Sequence, residues 1–266
     1  MGFGSDGLVD EEKVINFADL FKPATELSAV NNLRIGIHGK AKVGKSYFTL
    51  TPVGYHIIVI DTENAMRLTV RLFNEEKRKK IHVFEALKYS NMETGEIDLV
   101  GSLEMLYKAI TAAHRYINEH SDEKFVLVID SATDIWDWLG IWLDEKPGTQ
   151  HINGGEKVSR LEWGKANKRY AEAFYQLVTS GAHVIMTFRS KDAVGKDGSD
   201  LGYVIPRWQK NTEYWLDLIV KLEKIAGTRT LQFMGSRFCD DIKPLENPDW
   251  EKLVGHLSKT CKVNFT

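Results

Sequence analysis

Short, unbroken apolar runs recur along the chain from residue 33 onward, separated by longer stretches with helical spacing. Apolar runs that do not alternate with polar residues are typical of strands buried on both faces of a parallel sheet. The runs are Leu33–Ile37, His56–Ile60, Ile81–Phe84, Phe125–Ile129, His183–Phe188, Leu216–Leu222 and Thr230–Phe233. Between them, Leu103–His120 and Leu161–Thr179 have the period of amphipathic helices. This alternation predicts an α/β fold with three layers and a mainly parallel central sheet.

The chain has no internal repeat and no convincing linker, so we expect a single domain over residues 1–266. Residues 1–30 are expected to be an N-terminal extension and residues 240–266 a C-terminal helical tail. Two Gly- and Pro-rich segments, Lys146–Ser159 and Ser190–Arg207, are predicted to lack regular structure. Both follow predicted strands, so we expect them near the carboxyl edge of the sheet, where ligands bind in such folds.

The composition is that of an ordinary globular protein: 43% of the 266 residues are apolar, 27% are charged and the formal net charge is −2. This charge gives no global basic field, so any nucleic-acid site must be local. No apolar run approaches the roughly 18–20 residues of a membrane span, and Met1–Asp10 lacks a signal-peptide pattern. Cys239 and Cys261 form neither a metal-spaced pair nor a disulfide framework, which fits a reducing compartment. We therefore expect a cytoplasmic protein without a membrane partner.

The segment Leu33–Ser46 contains an apolar strand, then G-x-x-x-x-G-K-S, then the start of a helix. In that arrangement, backbone N–H groups of the loop can surround a polyphosphate. Lys45 can reach the β- and γ-phosphates, and the hydroxyl of Ser46 can bind Mg²⁺. A Gly/Lys-rich surface turn is the alternative, but the flanking elements favour a site for ATP and Mg²⁺. Its predicted nucleotide-binding residues are Gly39, Lys40, Ala41, Lys42, Val43, Gly44, Lys45, Ser46 and Tyr47.

A later apolar strand ends in a carboxylate, in the segment Phe125–Asp130. After a P-loop, this is the Walker B pattern, in which Asp130 holds Mg²⁺ through water opposite Ser46. Many strands end in Asp, so this pattern indicates a Walker B motif only because a P-loop precedes it in the sequence. We predict Ser46 and Asp130 as the metal-binding residues.

The strand after the P-loop helix ends in the segment Asp61-Thr62-Glu63-Asn64-Ala65. A carboxylate at this position can orient the water that attacks the γ-phosphorus, or accept its proton. We predict that Glu63 has this catalytic role and that Asp61 caps or supports the next helix. The alternative is that both acids only cap that helix.

The P-loop motif, the I-D-T-E-N-A segment and the later L-V-I-D-S segment together resemble the core of the RecA-type ATPases, over roughly residues 33–238. The resemblance is closest to compact, phage-encoded RecA-like ATPases of recombination and single-strand annealing. Those relatives share segments like Glu162-Trp163-Gly164 and Gly235-Ser236-Arg237-Phe238. The resemblance implies a RecA-like P-loop NTPase fold, a homo-oligomer with ATP at the subunit interface, and single-stranded DNA as a partner. A virus-encoded protein acting inside its host cell would fit it.

By the same resemblance, the end of the strand His183–Phe188 carries a polar sensor of the γ-phosphate, usually Gln or Asn. Here the position holds Thr187 or Arg189, so the identity of the sensor stays open. Three roles are open for Arg189: it could stabilise transition-state charge, begin a DNA-contacting loop, or pair with a surface acid.

The segment from Arg189 to Lys210 carries five basic residues against three acidic ones. RecA relatives place a mobile DNA-binding loop in this region. A groove that follows the phosphate backbone, with Tyr203 and Trp208 nearby, would suit single strands, and a solvated surface loop is the alternative. The predicted DNA-binding residues are Lys191, Lys196, Arg207 and Lys210.

Arg229 and Arg237 flank the late strand Thr230–Phe233. In oligomeric RecA-type ATPases, basic residues from this region reach the γ-phosphate bound by the neighbouring subunit. Arg237 matches the family turn better, so we predict that it is catalytic together with Lys45 and Glu63. A surface salt bridge is the alternative role for Arg237.

These features predict Mg²⁺-dependent ATP binding and hydrolysis by an oligomeric RecA-like ATPase that acts on single-stranded DNA in recombination, annealing or repair. Two other functions remain open on the same core. One is a helicase-like or packaging motor, which would translocate or unwind processively. The other is a KaiC-like nucleotide switch without DNA binding, in which DNA would not stimulate turnover.

Overall fold

The computed structural model describes residues 32–152 and 157–265, so the expected N-terminal extension 1–30 lies outside the described residues. The strands are β1 (Arg34–Gly39), β2 (His56–Asp61), β3 (Ile81–Glu85), β4 (Lys88–Asn91), β5 (Glu96–Asp98), β6 (Phe125–Asp130), β7 (His151–Ile152), β8 (Lys157–Val158), β9 (His183–Val194), β10 (Asp200–Pro206), β11 (Leu218–Ile225), β12 (Thr228–Ser236) and β13 (Leu245–Glu246). The helices are α1 (Lys45–Thr49), α2 (Met66–Val70), α3 (Glu75–Lys79), α4 (Leu99–Glu119), α5 (Thr133–Glu145), α6 (Arg160–Val178) and α7 (Trp250–Cys261). In this part of the chain, no helix is long and apolar enough to cross a membrane.

Parallel strands form the centre of the sheet, in the order β3-β2-β6-β9-β1-β11. β12 and β13 extend one edge in the antiparallel direction, and β10 pairs antiparallel with the outer part of β9. Each apolar run that the sequence analysis assigns to a strand overlaps one of these strands. The predicted α/β fold with a mainly parallel sheet is therefore confirmed.

Helices cover both faces of the sheet, which gives the three layers that the sequence predicts. On one face, α4, α5 and α6 bury Leu106, Leu139 and Phe174. On the other face, α1 and α7 contribute Phe48 and Leu253. Every position of β6 is buried, and a strand covered on both faces has no solvent-facing side to alternate with. Burial between two helical layers thus explains the unbroken apolar runs.

The register of the strands brings polar residues to one edge of the sheet. Gly39 at the end of β1 lies beside Arg189 on β9, and Asp61 at the end of β2 lies beside Asp130 at the end of β6. These positions are at the carboxyl ends of parallel strands, where ligands bind in open α/β sheets. The fold therefore positions a site at this edge.

The segment Ser190–Arg207, predicted to be irregular, is instead a β-hairpin. β9 continues past the sheet to Val194 and pairs with β10. Gly195 and Gly198 occupy only the turn, where Gly198 has a φ of 86°. Pro206 ends β10, a position that strands tolerate. The prediction was wrong because glycine and proline were counted over the whole segment, although they lie at its turn and its end.

Two smaller hairpins were also not predicted. β4 pairs with β5, and β7 pairs with β8 inside the segment Lys146–Ser159, of which residues 153–156 lie outside the described part. All positions of β4 are exposed. An exposed polar strand has no apolar face, so it leaves no periodic signal in the sequence.

The segment 240–266, expected to be a helical tail, is helical only at Trp250–Cys261 among its described residues. Asp249 caps α7, because its side chain accepts a hydrogen bond from Lys252 N at 2.8 Å. Leu253 and Leu257 of this helix have no exposed surface. The helix thus forms part of the core.

Cys239 and Cys261 form a disulfide, a pairing that the sequence analysis did not predict. The two residues are 22 positions apart in the sequence, and their Cα atoms are 5.3 Å apart. α7 packs back against the sheet beside the end of β12, and this packing brings the cysteines together. Sequence spacing alone carries no information about that approach.

Candidate functional site

The P-loop connects the end of β1 to the start of α1. Gly39 and Gly44 have positive φ angles of 155° and 106°. A Cβ atom on Gly39 would lie 2.2 Å from the carbonyl oxygen of Leu222, and one on Gly44 would lie 2.6 Å from Nε of Arg229. Glycine is therefore required at both positions, and the loop can curl tightly enough to present N–H groups to a phosphate.

Lys45 begins α1, and its side chain folds back over the P-loop. Its Nζ donates hydrogen bonds to the carbonyl oxygens of Gly39 at 2.9 Å and Lys40 at 3.1 Å. Burial lowers the pKa of Lys45, and the nearby carboxylates of Asp130 and Glu63 oppose that change. The ammonium group is thus held within the loop, where it can exchange carbonyl oxygens for phosphate oxygens.

Asp130 ends β6 and faces the hydroxyls of Ser46 and Thr187. Its Oδ1 accepts a hydrogen bond from Oγ1 of Thr187. Burial raises the pKa of Asp130, while the hydroxyls of Ser46 and Thr187 oppose this by favouring the charged form. Thr187 has no exposed surface. Of the two candidate sensors, Thr187 is therefore the one that supports the Walker B carboxylate.

Asp61 and Glu63 are close in sequence but have different surroundings. The carboxylate of Asp61 accepts hydrogen bonds from the backbone N–H groups of Glu63 at 3.0 Å and Met66 at 2.7 Å. Burial raises the pKa of Asp61, and these hydrogen bonds oppose the change. The side chain of Glu63 is 41% exposed. Asp61 thus holds the turn into α2, and Glu63 is available at the surface of the site.

Arg189 connects Glu63 with the beginning of α5. Its Nε and Nη2 donate hydrogen bonds to Oε1 of Glu63 at 3.0 and 2.8 Å, and its Nη1 lies 2.9 Å from Oδ1 of Asp134. Asp134 is buried, and its Oδ2 accepts a hydrogen bond from Thr62 Oγ1 at 2.7 Å. Of the three roles left open for Arg189, the structure shows ion pairing, and its partners belong to the site.

These groups line one open cleft with a volume of about 820 Å³. The P-loop glycines, Lys45, Glu63, Asp130 and Arg189 all contribute to it, although they come from four different strands and their following turns. The fold thus brings together Lys45, Glu63, the two metal-binding positions and both candidate sensors, whereas Arg237, the third predicted catalytic residue, does not line this cleft.

Ser46 and Asp130 are a suitable donor set for a hard divalent cation. Both offer oxygen atoms, and Mg²⁺ is usually bound through one or two protein ligands together with phosphates and water. Within residues 32–152 and 157–265, no group of three or more His, Cys, Asp or Glu side chains could hold a metal ion by itself. Ser46 and Asp130 would therefore hold Mg²⁺ jointly with a bound nucleotide.

The four residues predicted to bind DNA have different surroundings. Lys191 lines the nucleotide cleft, and Lys196 lies in the exposed turn of the β9–β10 hairpin. Arg207 forms an ion pair with Asp137 of α5 at 2.9 Å. Lys210 is exposed and follows the end of β10. The hairpin therefore presents two of the four residues, and the other two lie beyond its base.

The two aromatic residues considered for DNA stacking also differ. The ring of Trp208 packs edge-on against Phe188, with centroids 4.9 Å apart, and belongs to the core. Tyr203 on β10 is 54% exposed. Of these two residues, Tyr203 is thus the one exposed to solvent.

Arg237 does not reach the P-loop of its own chain. It follows β12, whose end pairs with the beginning of β11, at the edge of the sheet opposite the P-loop. Its Nη1 lies 3.4 Å from Oδ1 of Asp217, and its Nη2 donates to the carbonyl oxygen of Tyr214. The salt bridge considered as the alternative is thus present. Catalysis by Arg237 in a neighbouring subunit stays a prediction.

Arg229 lies at the P-loop of its own chain, which the sequence analysis did not anticipate. It is near the beginning of β12, and its Nε donates a hydrogen bond to the carbonyl oxygen of Val43 at 3.0 Å. It also lines the nucleotide cleft. β11 runs parallel to β1, so the residues just after the β11–β12 turn return to the level of the P-loop. The sequence carries no signal for this contact, because it depends on the strand order.

The chain is similar to a known protein family and to solved structures. A family profile described as an AAA domain matches residues 31–239. The crystal structure of the RadB recombinase is similar with a TM-score of 0.50 and 15% identity, over 82% of this chain and 88% of that chain. A prototypical ATPase from the type III secretion system of pathogenic bacteria gives a TM-score of 0.48 and 15% identity, over 72% of this chain and 52% of that chain. No curated protein matches the sequence. The similarity to RadB confirms the RecA-like fold.

Proposed function

Because the chain belongs to the AAA domain family, we propose that it is a Mg²⁺-dependent ATPase that acts on single-stranded DNA. The observation that carries the ATPase proposal is the convergence of the P-loop, Asp130 and Glu63 on one cleft. These are the groups that phosphoryl transfer to water requires: a cradle for the phosphates, a metal ligand and a carboxylate near the attacking water.

Each group has a defined role in this proposal. The P-loop N–H groups and Lys45 bind the β- and γ-phosphates, and Glu63 orients the attacking water and accepts its proton. When bound at Ser46 and Asp130, Mg²⁺ would neutralise charge that develops on the phosphate oxygens. Asp61 contributes indirectly, since it holds the turn that carries Glu63.

Arg189 is our candidate for the γ-phosphate sensor. Its Nε and Nη2 both donate to Oε1 of Glu63, and the anionic oxygens of a γ-phosphate in the cleft would accept hydrogen bonds from the same pair of donors. Exchange of Glu63 for the γ-phosphate would free the carboxylate for water. Asp134 would keep the guanidinium group in place through Nη1 during that exchange.

Single-stranded DNA is the proposed partner because of the β9–β10 hairpin. Lys191, Lys196 and the exposed ring of Tyr203 offer charge and stacking surface on one projecting element, and β9 also carries Arg189 into the nucleotide cleft. A homo-oligomer with ATP at its interface would add Arg237 from the neighbouring subunit. Such an assembly would serve recombination, annealing or repair.

Phosphate release from ATP, measured with and without single-stranded DNA, tests the proposal. We expect Mg²⁺-dependent turnover that rises on addition of DNA, and we expect none with Lys45→Ala, which removes the loop cation. A folded Lys45→Ala protein that hydrolyses ATP normally would end the ATPase proposal. Turnover without any DNA binding would instead favour the nucleotide switch.

A further inference from the structure

A smaller cavity, with a volume of about 210 Å³, adjoins the nucleotide cleft on the side of β11 and β12. The two spaces share Gly44, Tyr47 and Arg229. The cavity is also lined by the buried side chains of Leu222 and Phe48 and by Pro248. It therefore combines an apolar floor with the side chains of Arg229 and Tyr47, and Asn247 and Asp249 complete its lining.

The strand order determines which end of a bound nucleotide would reach this cavity. Glu63, Asp130 and Arg189 follow or lie on β2, β6 and β9, which are all on one side of β1. β11 and β12 are on the other side of β1. The γ-phosphate must face the catalytic carboxylate, so the nucleoside end has to extend toward β11 and β12. The cavity therefore lies on the side toward which the nucleoside of a bound nucleotide would extend.

Arg229 is held rigidly beside the P-loop. Its Nε donates to the carbonyl oxygen of Val43, and its Cζ lies 3.4 Å from the position that a Cβ atom of Gly44 would occupy. Asn247 N donates to the carbonyl oxygen of Arg229 at 2.6 Å and fixes its backbone. Within the described residues, the hydrogen bonds of this guanidinium group involve Nε alone. Its Nη atoms are therefore available to a ligand.

Tyr47 is also positioned for a ligand. Its ring is 39% exposed and stacks on Phe73, with centroids 5.1 Å apart and an interplanar angle of 21°. This stacking restricts the rotation of the ring, so its exposed part is a fixed wall of both the cleft and the cavity.

We propose that Arg229 and Tyr47 bind the base of the nucleotide, with the guanidinium plane of Arg229 stacked on the base. The inference rests on the proposed function, since it names the nucleoside subsite of the same ATP site. Guanidinium groups stack well on aromatic rings because they are planar, delocalised and weakly hydrated. The phosphates already have Lys45 and the loop amides, so Arg229 is not needed for them.

Calorimetric binding of ADP and of inorganic tripolyphosphate, which has no base, tests the role of Arg229. The proteins to compare are the wild type, Arg229→Ala, Arg229→Lys and the control Lys224→Ala, an exposed residue opposite Arg229 in the β11–β12 ladder. We expect Arg229→Ala to weaken ADP binding by about 5- to 30-fold, the range of a desolvated cation–π contact. Tripolyphosphate binding should change by less than about two-fold, since it lacks the group that Arg229 contacts.

Arg229→Lys keeps the positive charge but removes the planar guanidinium group. It should therefore also weaken ADP binding and leave tripolyphosphate binding unchanged. Lys224→Ala should bind both ligands as the wild type does. If Arg229→Ala weakens both ligands equally, Arg229 only shapes the P-loop through Val43 and the inference is wrong. The inference also fails if Arg229→Ala binds ADP normally. A wild type that binds neither ligand would overturn the proposed function as well.

Discussion

Two acidic residues that the sequence does not distinguish, Asp61 and Glu63, have different surroundings in the structure. Asp61 and Glu63 are both acidic and follow the same strand, but two backbone N–H groups bind the carboxylate of Asp61. Asp61 is also buried and does not line the cleft, so its carboxylate is not positioned beside a water molecule bound there. Glu63 instead lines the cleft, and the hydrogen-bond partner of its side chain among the described residues is Arg189. The structure therefore supports Glu63 as the catalytic carboxylate.

We predict that Glu63→Gln binds ATP but hydrolyses it at least about 10²-fold more slowly, because the amide cannot accept the proton. Asp61→Asn should retain more activity and lose thermal stability, since it weakens the turn before α2. Single-turnover hydrolysis and nucleotide binding measured on both variants check this. If Asp61→Asn shows the catalytic defect and Glu63→Gln does not, Asp61 is the catalytic residue.

A second prediction at the residue scale concerns His183. Its Nδ1 accepts a hydrogen bond from Leu33 N at 2.9 Å, so protonation of Nδ1 would break that bond. Burial, followed by the charge of Lys124, lowers the pKa of His183 to about 4. The rings of Tyr55 and Trp250 pack against it. Only the unfolded chain then gains the proton as the pH falls below about 6.5, so stability is full above that pH and is lost toward pH 4.

Proton uptake by His183 in the unfolded chain should lower the free energy of unfolding by about 2 kcal/mol when the pH falls from 7.5 to 5. His183→Asn, whose Oδ1 can accept the same hydrogen bond, should show a fall in unfolding free energy that is smaller by that amount. Denaturant unfolding at the two pH values measures it, and His82→Asn, an exposed position on β3, is the control. Equal falls in the wild type and His183→Asn would exclude His183 as the source.

At the scale of elements, the β9–β10 hairpin joins two parts of the proposed function. The same strand carries Thr187 and Arg189 into the site and Lys191 along the cleft, and then projects to the turn that contains Lys196. The backbone of Arg189 is also fixed at both sides, since its N–H donates to Thr133 Oγ1 and its carbonyl accepts from Arg207 N. A shift of Arg189 would therefore move the base of the hairpin.

We predict that Lys191→Ala combined with Lys196→Ala weakens single-strand binding and lowers the slope of log affinity against log salt by about 1.4, or ~0.7 for each lost phosphate contact. Fluorescence anisotropy with labelled single-stranded DNA, at several salt concentrations and saturating nucleotide, measures both quantities. Lys168→Ala, an exposed lysine on α6, is the matched control. An unchanged slope in the double variant would place the DNA site elsewhere.

At the scale of the whole molecule, Arg237 can have its proposed catalytic role only if the protein forms an oligomer. Arg237 lies at the edge of the sheet opposite the P-loop, so it can reach a γ-phosphate only in another subunit. Its side chain is 48% exposed and is held near Asp217. A closed ring or a filament with head-to-tail contacts would place this edge against the next nucleotide cleft.

We predict that Arg237→Ala and Glu63→Gln are each inactive alone and regain activity when mixed. In a randomly mixed head-to-tail assembly, roughly a quarter of the sites pair an intact Glu63 with an intact Arg237. Turnover of the mixture, compared with each variant at the same total concentration, measures this. The absence of any gain, when both variants assemble, would leave Arg237 with a structural role in the Asp217 salt bridge.

Sequence patterns predicted the site residues that are close together in the sequence or that follow the end of a buried strand. The P-loop needs two glycines, a lysine and a hydroxyl within eight positions, and Asp130 and Glu63 follow recognisable buried strands. The ends of parallel strands converge at one edge of the sheet, so these groups meet without further information. The β9–β10 hairpin was missed because the glycines of its turn and the proline at the end of β10 resemble those of an irregular loop.

The sequence by itself thus determined the fold class, the nucleotide loop and the carboxylates at the strand ends. Only the tertiary structure decided which side chains complete the cleft: Arg229 meets the P-loop across 186 positions of sequence, and Arg189 meets Glu63 across 126. The disulfide between Cys239 and Cys261 belongs to the same group. Such contacts depend on strand order, register and helix packing, which arise from many residues together. No local spacing encodes them.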